Sequence, residues 1–367
     1  MNSFHPATML SLPANTDPLY DAARPRTILD RFFLRLIRDE RDLPFPYMTL
    51  KVALLMVPLA ILLYMPFVSG WLWVVLAAVY FFLNNVTFKG PFGLMMHCST
   101  HRALYKKEYN ALNYIIPWGL APFFGQSPET YRAHHVGMHH VENNLEEDES
   151  STMAYQRDSV RGFLHYYLSF LFTGIATLAA YLFRKKRNKL MVGVIRGEFL
   201  FLAFCFVMCF VNLAATMMVF VIPFLIFRLV AMAGNWVQHT FICPDDPGNH
   251  FKNSITCINV PFNHRCWNDG YHISHHIDPT MHWTEHPVYF REHLKDFADN
   301  EAVVFAGLNY MDVFFRLMRK RYDLLAQHFV DIDGLYANDE EVIAFLKRRT
   351  ARITVTVPRP ALVAVAA

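Results

Sequence analysis

Histidine is the residue type on which any chemistry in this chain must rest. Of 18 histidines in 367 residues, 15 fall between His97 and His286. Four groups stand out. In His97-Cys-Ser-Thr-His101 the i, i+4 spacing puts both rings on one helix face, where they can share a metal. The second group, His134-His135-Val-Gly-Met-His139-His140, holds another i, i+4 pair in His135 and His139. His140 lies about 100° further round an ideal helix, so it faces a second metal or sits on a distorted turn, which Gly137 would suit. His134 offers an alternative register. The third group, His272-Ile-Ser-His275-His276, places three imidazoles on one face at i, i+3 and i+4. In the fourth, Asn235-Trp-Val-Gln-His239, His239 is a candidate ligand, and Asn235 could reach a metal directly or through water.

Nine candidate ligands result: His97, His101, His135, His139, His140, His239, His272, His275 and His276. One ion cannot take nine; two ions can take four or five each. Imidazole suits iron, copper, zinc and nickel. Structural zinc takes four ligands, so this number points to a dinuclear redox site. A ligating histidine donates its second N–H to a carboxylate or carbonyl. Asp269 and Glu142 are the acids expected in that role. Glu146, Glu147, Asp148, Asp245 and Asp246 read equally well as surface charge.

The elements that position these rings are apolar. Hydrophobic residues make up 54% of the chain and charged residues 18%, against about 25% charged in soluble proteins. The apolar residues come in blocks. Leu50–Val68 and Trp71–Phe88, split by Ser69-Gly70, are each near the minimum that spans about 30 Å of hydrocarbon. Gly162–Phe183 follows and ends in Arg-Lys-Lys-Arg-Asn-Lys. Phe199–Ala233 is too long for one straight span and suits two, with Asn212 near the turn.

Parity constrains the crossings, because histidines at 97–140 and 239–276 must meet on one face. Four spans with Gly162–Phe183 lying in the interface satisfy this. A single tilted helix over Phe199–Ala233, with Gly162–Phe183 crossing, also gives four. That count places Arg184–Lys189 on the far side, against the rule that basic loops face the cytoplasm. Further basic clusters lie at Arg24–Arg41, Arg319–Arg321 and Lys347–Arg352; they read as cytoplasmic flanks or as a solvated charged face. The net charge of +3 does not suggest nucleic acid. Six cysteines with no C-x-x-C pair give no disulfide framework and no zinc finger.

Residues 1–47 are expected as a cytosolic N-terminal arm, 48–286 as the membrane-embedded domain, and 287–367 as a helical cytosolic region with a loose tail, 355–367. Helices are expected at Pro287–Ala298, Ala302–His328 and Asp339–Arg349. The fold class expected is all-α integral membrane: four transmembrane helices plus an interfacial helix, with a cytosolic helical cap carrying the histidine-rich site. Apolar and aromatic residues should line a tunnel to that site, with Phe88, Phe92, Phe123, Phe124, Trp236 and Trp267 as candidates.

The order H-x3-H, H-x3-H-H, N-x3-H, H-x2-H-H, on a four-span chain, resembles the membrane fatty acid desaturase superfamily from about Leu50 to Pro287. Asn143-Asn144-Leu-Glu-Glu-Asp, and the stretch from Tyr271 through His282-Trp283 to His286-Pro287, add to the resemblance. The superfamily includes desaturases, hydroxylases and decarboxylases that form 1-alkenes. The resemblance implies two iron ions, O2 as co-substrate, and removal of hydrogen from an unactivated methylene of a fatty acid or acyl lipid. It also implies electrons from a separate carrier of ferredoxin, rubredoxin or cytochrome b5 type. With no H-P-G-G haem motif, no fused cytochrome b5 domain is expected. Many members have H-x2-H-H as the second box, where this chain has one residue more between His135 and His139. The expected activity is desaturation; hydroxylation and decarboxylation are the alternatives. A divalent-metal transporter is the remote one, since its ligands would sit within the spans. The ends of the chain carry no signal sequence and no retention signal, which favours a bacterial inner membrane over endoplasmic reticulum, with the site on the cytosolic face.

Overall fold

The structure is a computed structural model and describes residues 14–353. The tail expected at 355–367 and the first 13 residues of the arm lie outside that range. Among the described residues, five helices are long and apolar enough to cross a membrane.

A short helix, α1 (Ile28–Leu36), opens with a capping box at Thr27 and Asp30. Helix α2 (Pro44–Tyr64) starts on prolines, which lack the N–H that a first turn leaves unpaired, and ends at Met65. Helix α3 (Gly70–His101) follows after Ser69, and the left-handed Gly70 makes the turn. It runs for 32 residues, well beyond the roughly 20 that a bilayer requires. A π turn at Leu83–Phe88 interrupts it. Its last turns therefore emerge at one end of the bundle and carry His97 and His101.

A segment numbered 130–142, α4, comprises Thr130–His134, a π turn at His135–His139, and His140–Glu142. Helices α5 (Val160–Arg184), α6 (Asn188–Val211) and α7 (Leu213–Gln238) complete the apolar set. The apolar run Phe199–Ala233 is two helices, as expected, because Asn212 is extended and its side chain accepts from Ala215 N as the cap of α7.

The turns at 65–69 and at Asn212 lie at one end of the bundle, where Tyr64 and Thr216 share a 2.9 Å hydrogen bond. The histidine-bearing termini lie at the other. Both ends of α5 are tied to the histidine end. Near its start the Tyr166 hydroxyl donates to Ser150 O. After its last turn Lys185 pairs with Glu142, and Arg187 donates to Gly137 O.

The bundle core includes Val52, Met56, Tyr80, Phe92 and Phe220. Outward positions are apolar too: Phe172 is 80% exposed and Phe210 79%, as a lipid-facing surface requires. A second core lies in the cap, around Trp236, Phe241, Phe305 and Phe345.

The all-α expectation needs one correction. Ile255–Ile258 (β1) and Val303–Ala306 (β2) form a two-stranded parallel sheet, with Ile255 opposite Val303. The helix expected over Ala302–His328 begins as that strand, and helices follow only at Tyr310–Met318 and Tyr322–Ala326. A strand buried on both faces reads as a continuous apolar run, which periodicity does not separate from a buried helix.

The arm lies against the body. Asp17 accepts from Asn259 N and from the Tyr271 hydroxyl, and Arg38 N donates to Leu104 O.

Candidate metal centre

The nine histidines singled out by spacing gather into two groups. His97, His101, His135, His140 and His275 form one; His139, His239, His272 and His276 form the other. Within each group the candidate ligand atoms lie within 4.8 Å of one another. In the first, Nε2 of His97 is 2.9 Å from that of His275 and 3.0 Å from that of His135. Nε2 of His140 stands 3.0 Å from that of His135 and 2.9 Å from that of His275. In the second, His239 Nε2 is 3.3 Å from His139 Nε2 and 3.2 Å from His272 Nε2.

Local backbone sets this division. The π turn at His135–His139 widens the helix there, so His135 meets His140, five residues on, and not His139. The expected i, i+4 pairing of His135 with His139 is thereby replaced. Gly137 sits where a Cβ would come within 2.9 Å of Leu190 Cδ1, so the distorted turn packs directly on the first turn of α6. In α8 (His272–Ile277), His272 and His276 face one group and His275 the other. The three rings expected to converge are therefore shared between both groups.

The outer nitrogens show which inner ones can bind a cation. His139 Nδ1 is 2.7 Å from Asp148 Oδ2, His239 Nδ1 2.9 Å from Asn253 O, and His276 Nδ1 3.0 Å from Asn143 Oδ1. His97 Nδ1 stands 3.4 Å from Asp269. At His139, His239 and His276 the oxygen only accepts, so Nδ1 carries the hydrogen and Nε2 turns a lone pair inward. Inward lone pairs about 3 Å apart repel unless a cation lies between them. The buried Nε2 atoms of His101 and His276 have no hydrogen-bond partner among the described residues. Burial, reinforced by neighbouring imidazoles, pushes His135, His140, His272, His275 and His276 well below the ordinary imidazole range. His239 is pushed down to about 3 by burial. Neutral imidazole is the form that binds metal, and nine of them fit two cations better than they fit each other.

Among the other site residues, Asp269 stands beside His97. Glu142 does not meet a histidine; it accepts from the Tyr181 hydroxyl and pairs with Lys185. Asp148 stands against His139 instead, fully buried and accepting from Ser150 as well. Burial raises its proton affinity, but His139 outweighs that and holds the carboxyl well below the usual carboxylate range. Asp148 sits in a run of four acids among which sequence gives no ranking. Asn235 donates to Ser150 O at 3.0 Å and to the Tyr166 hydroxyl at 2.7 Å. His134 belongs to neither group and packs edge-on to Phe170, whereas His135 stands in the five-histidine group.

A cavity of about 470 Å³ reaches His97, His135, His139 and His272 from between α3 and α7. None of the six aromatics expected to line it does so; Tyr131, Phe170, Phe227 and Phe262 do. Phe92 and Phe124 stack on each other in the bundle core, and Trp236 donates to Arg157 O in the cap. Trp267 donates to Pro91 O and lines a separate small pocket beside His97 and His101.

No curated protein and no solved structure matches the chain. The family model described as fatty acid desaturase matches residues 82–307, more than half of the chain and the whole stretch that holds the nine histidines. The chain belongs to the fatty acid desaturase family.

Proposed function

We propose that the chain is an O2-dependent di-iron oxidoreductase that inserts a double bond into a fatty acyl chain. The observation that carries this is the division of nine histidines, seven of them buried, into sets of five and four, beside a cavity that opens between two apolar helices. His97, His101, His135, His140 and His275 would hold one iron, and His139, His239, His272 and His276 the other. Bound there, the pair would supply O2 activation and the oxidising power that an unactivated methylene demands.

The residues of the chain do the rest. Asp148 and Asp269 orient His139 and His97 through their Nδ1 hydrogens. Asn235, held by Ser150 and Tyr166, places a fixed amide at the cavity wall. Tyr131, Phe170 and Phe227 exclude water from the volume the chain would occupy, as a strong oxidant requires. Histidines gathered at the helix ends, outside the apolar stretches, favour an enzyme over a metal transporter.

The topology proposed is four crossings, α2, α3, α6 and α7, with α5 along the interface. Both ends of α5 are bonded to the polar segment that carries the second histidine group, which supports a helix that returns to the side it left. Lys185, Lys186 and Arg187 then share a side with the site, as basic loops on the cytosolic face do. Electrons would come from a separate carrier on that face, and a bacterial inner membrane is the proposed location.

Mass spectrometry of fatty acids and headspace volatiles from a host expressing the chain tests the reaction, with His275→Ala as control. A new double bond in the acyl pool, absent with His275→Ala, is the expected result. A hydroxy acid or a 1-alkene one carbon shorter would replace desaturation by hydroxylation or decarboxylation.

A further inference from the structure

The far end of the cavity is polar, although it lies at the depth of the apolar bundle. Lys89 is only 4% exposed and Gln126 7%, and both line the cavity. The Lys89 ammonium donates to Phe124 O at 3.1 Å and to Pro223 O at 3.4 Å. It stands 5.8 Å from the Phe227 ring centre. Among the described residues it has no carboxylate partner. The nearby cation, Arg228, is already neutralised by Glu198, which also accepts from Ser127. Lys89 is thus the basic group of this floor that has no counter-charge among the described residues. Gln126 adds a buried Nε2 amide with no hydrogen-bond partner among the described residues. A lone ammonium with a spare N–H, beside a spare amide donor, suits an anion with two acceptor oxygens. A methyl-terminated hydrocarbon tail would leave the amide unpaired and Lys89 without a counter-charge.

We infer that the cavity takes an unesterified fatty acid carboxyl-end inward, with the carboxylate held by Lys89 and Gln126. This rests on the oxidase reading above and adds the head group and its direction. Lys89 precedes His97 by eight residues of helix, about 12 Å along the axis. Side chains lean toward the helix N-terminus, which carries the ammonium further from the histidines. The carbon brought to His97 and His135 is therefore mid-chain. Oxidation at the β carbon, which loss of carbon dioxide would need, is not served by this pose. Thioesters and glycerolipids, which have no free carboxylate, would leave Lys89 without a counter-charge.

Calorimetric titration of the purified, metal-loaded, full-length protein tests this, under anaerobic conditions so that no turnover occurs. The probes are dodecanoate and methyl dodecanoate. The wild type should bind the acid at least about tenfold tighter than the ester, since the ester leaves a buried charge unpaired. Lys89→Met should abolish that preference by weakening only the acid, and Lys89→Arg should keep it. Equal binding of acid and ester by the wild type would overturn the inference without any variant. So would an undiminished preference in Lys89→Met, which would reduce Lys89 to a tie between two carbonyls. Should Lys89→Met fail to fold, Gln126→Leu should lower the acid preference at least about threefold, and an unchanged preference there overturns the carboxylate site. Failure of the oxidase reading shows elsewhere: with O2 and a reductant supplied, neither acid nor ester is oxidised, while the binding comparison stands.

Discussion

At His139 the two ring nitrogens have separate duties. Nδ1 faces Asp148 at 2.7 Å, and Nε2 faces His239. Asp148→Asn keeps the shape but takes away the charge that orients and polarises the ring. Loss of such a partner costs about 10–100-fold in metal affinity, so metal titration of Asp148→Asn should weaken one of the two sites by that factor. Glu142→Gln, whose partners are Tyr181 and Lys185, should leave both sites intact. His135→Ala should empty the five-histidine site, whereas His134→Ala should keep its metal. The opposite ranking would put the second group in the other register. All nine candidate ligands could be read from the sequence, because a histidine in a greasy chain is conspicuous. Their sorting into sets could not: His140 and Gly137 hinted at a distorted turn, but not that a π turn at His135–His139 would bring His135 to His140. Asp148 was hidden among three neighbouring glutamates for the same reason: chain order does not say which carboxylate is buried.

Helix contacts make predictions of a different kind. Helix α6 passes so close to the chain before α4 that a Cβ on Gly197 would come within 1.8 Å of Pro128 O, a backbone atom that cannot step aside. Gly197→Ala should therefore cost about 1–3 kcal/mol, read as a lower unfolding midpoint in detergent. Gly234 in α7 meets nothing within 4 Å, so Gly234→Ala should gain about 0.5–1 kcal/mol from helix propensity. A loss there as large as at Gly197 would mean that α7 packs more tightly than the structure shows. The break at Asn212 was legible as a polar residue in an overlong apolar run. The strand at Val303–Ala306 was not, and neither were the cavity walls. Phe92, Phe124 and Trp236 are as apolar as Phe170 and Phe227, and only helix rotation decides which of them face the cavity.

For the whole molecule, the arrangement that matters is the return of α5 to the histidine end. If α5 lies in the interface, single cysteines at Arg161 and at Lys186 should both be labelled by a membrane-impermeant reagent from the same side. Labelling from opposite sides would make α5 a crossing helix and break the four-span account. The same arrangement gathers both basic α5 flanks, the cap core around Trp236 and Phe305, and all nine histidines on one face. The metal content of the purified full-length protein tests the centre most directly. Two irons per chain are expected, one for each histidine set, and His275→Ala should lose the iron of the five-histidine set. A His275→Ala protein that keeps both irons and remains active would contradict the assignment.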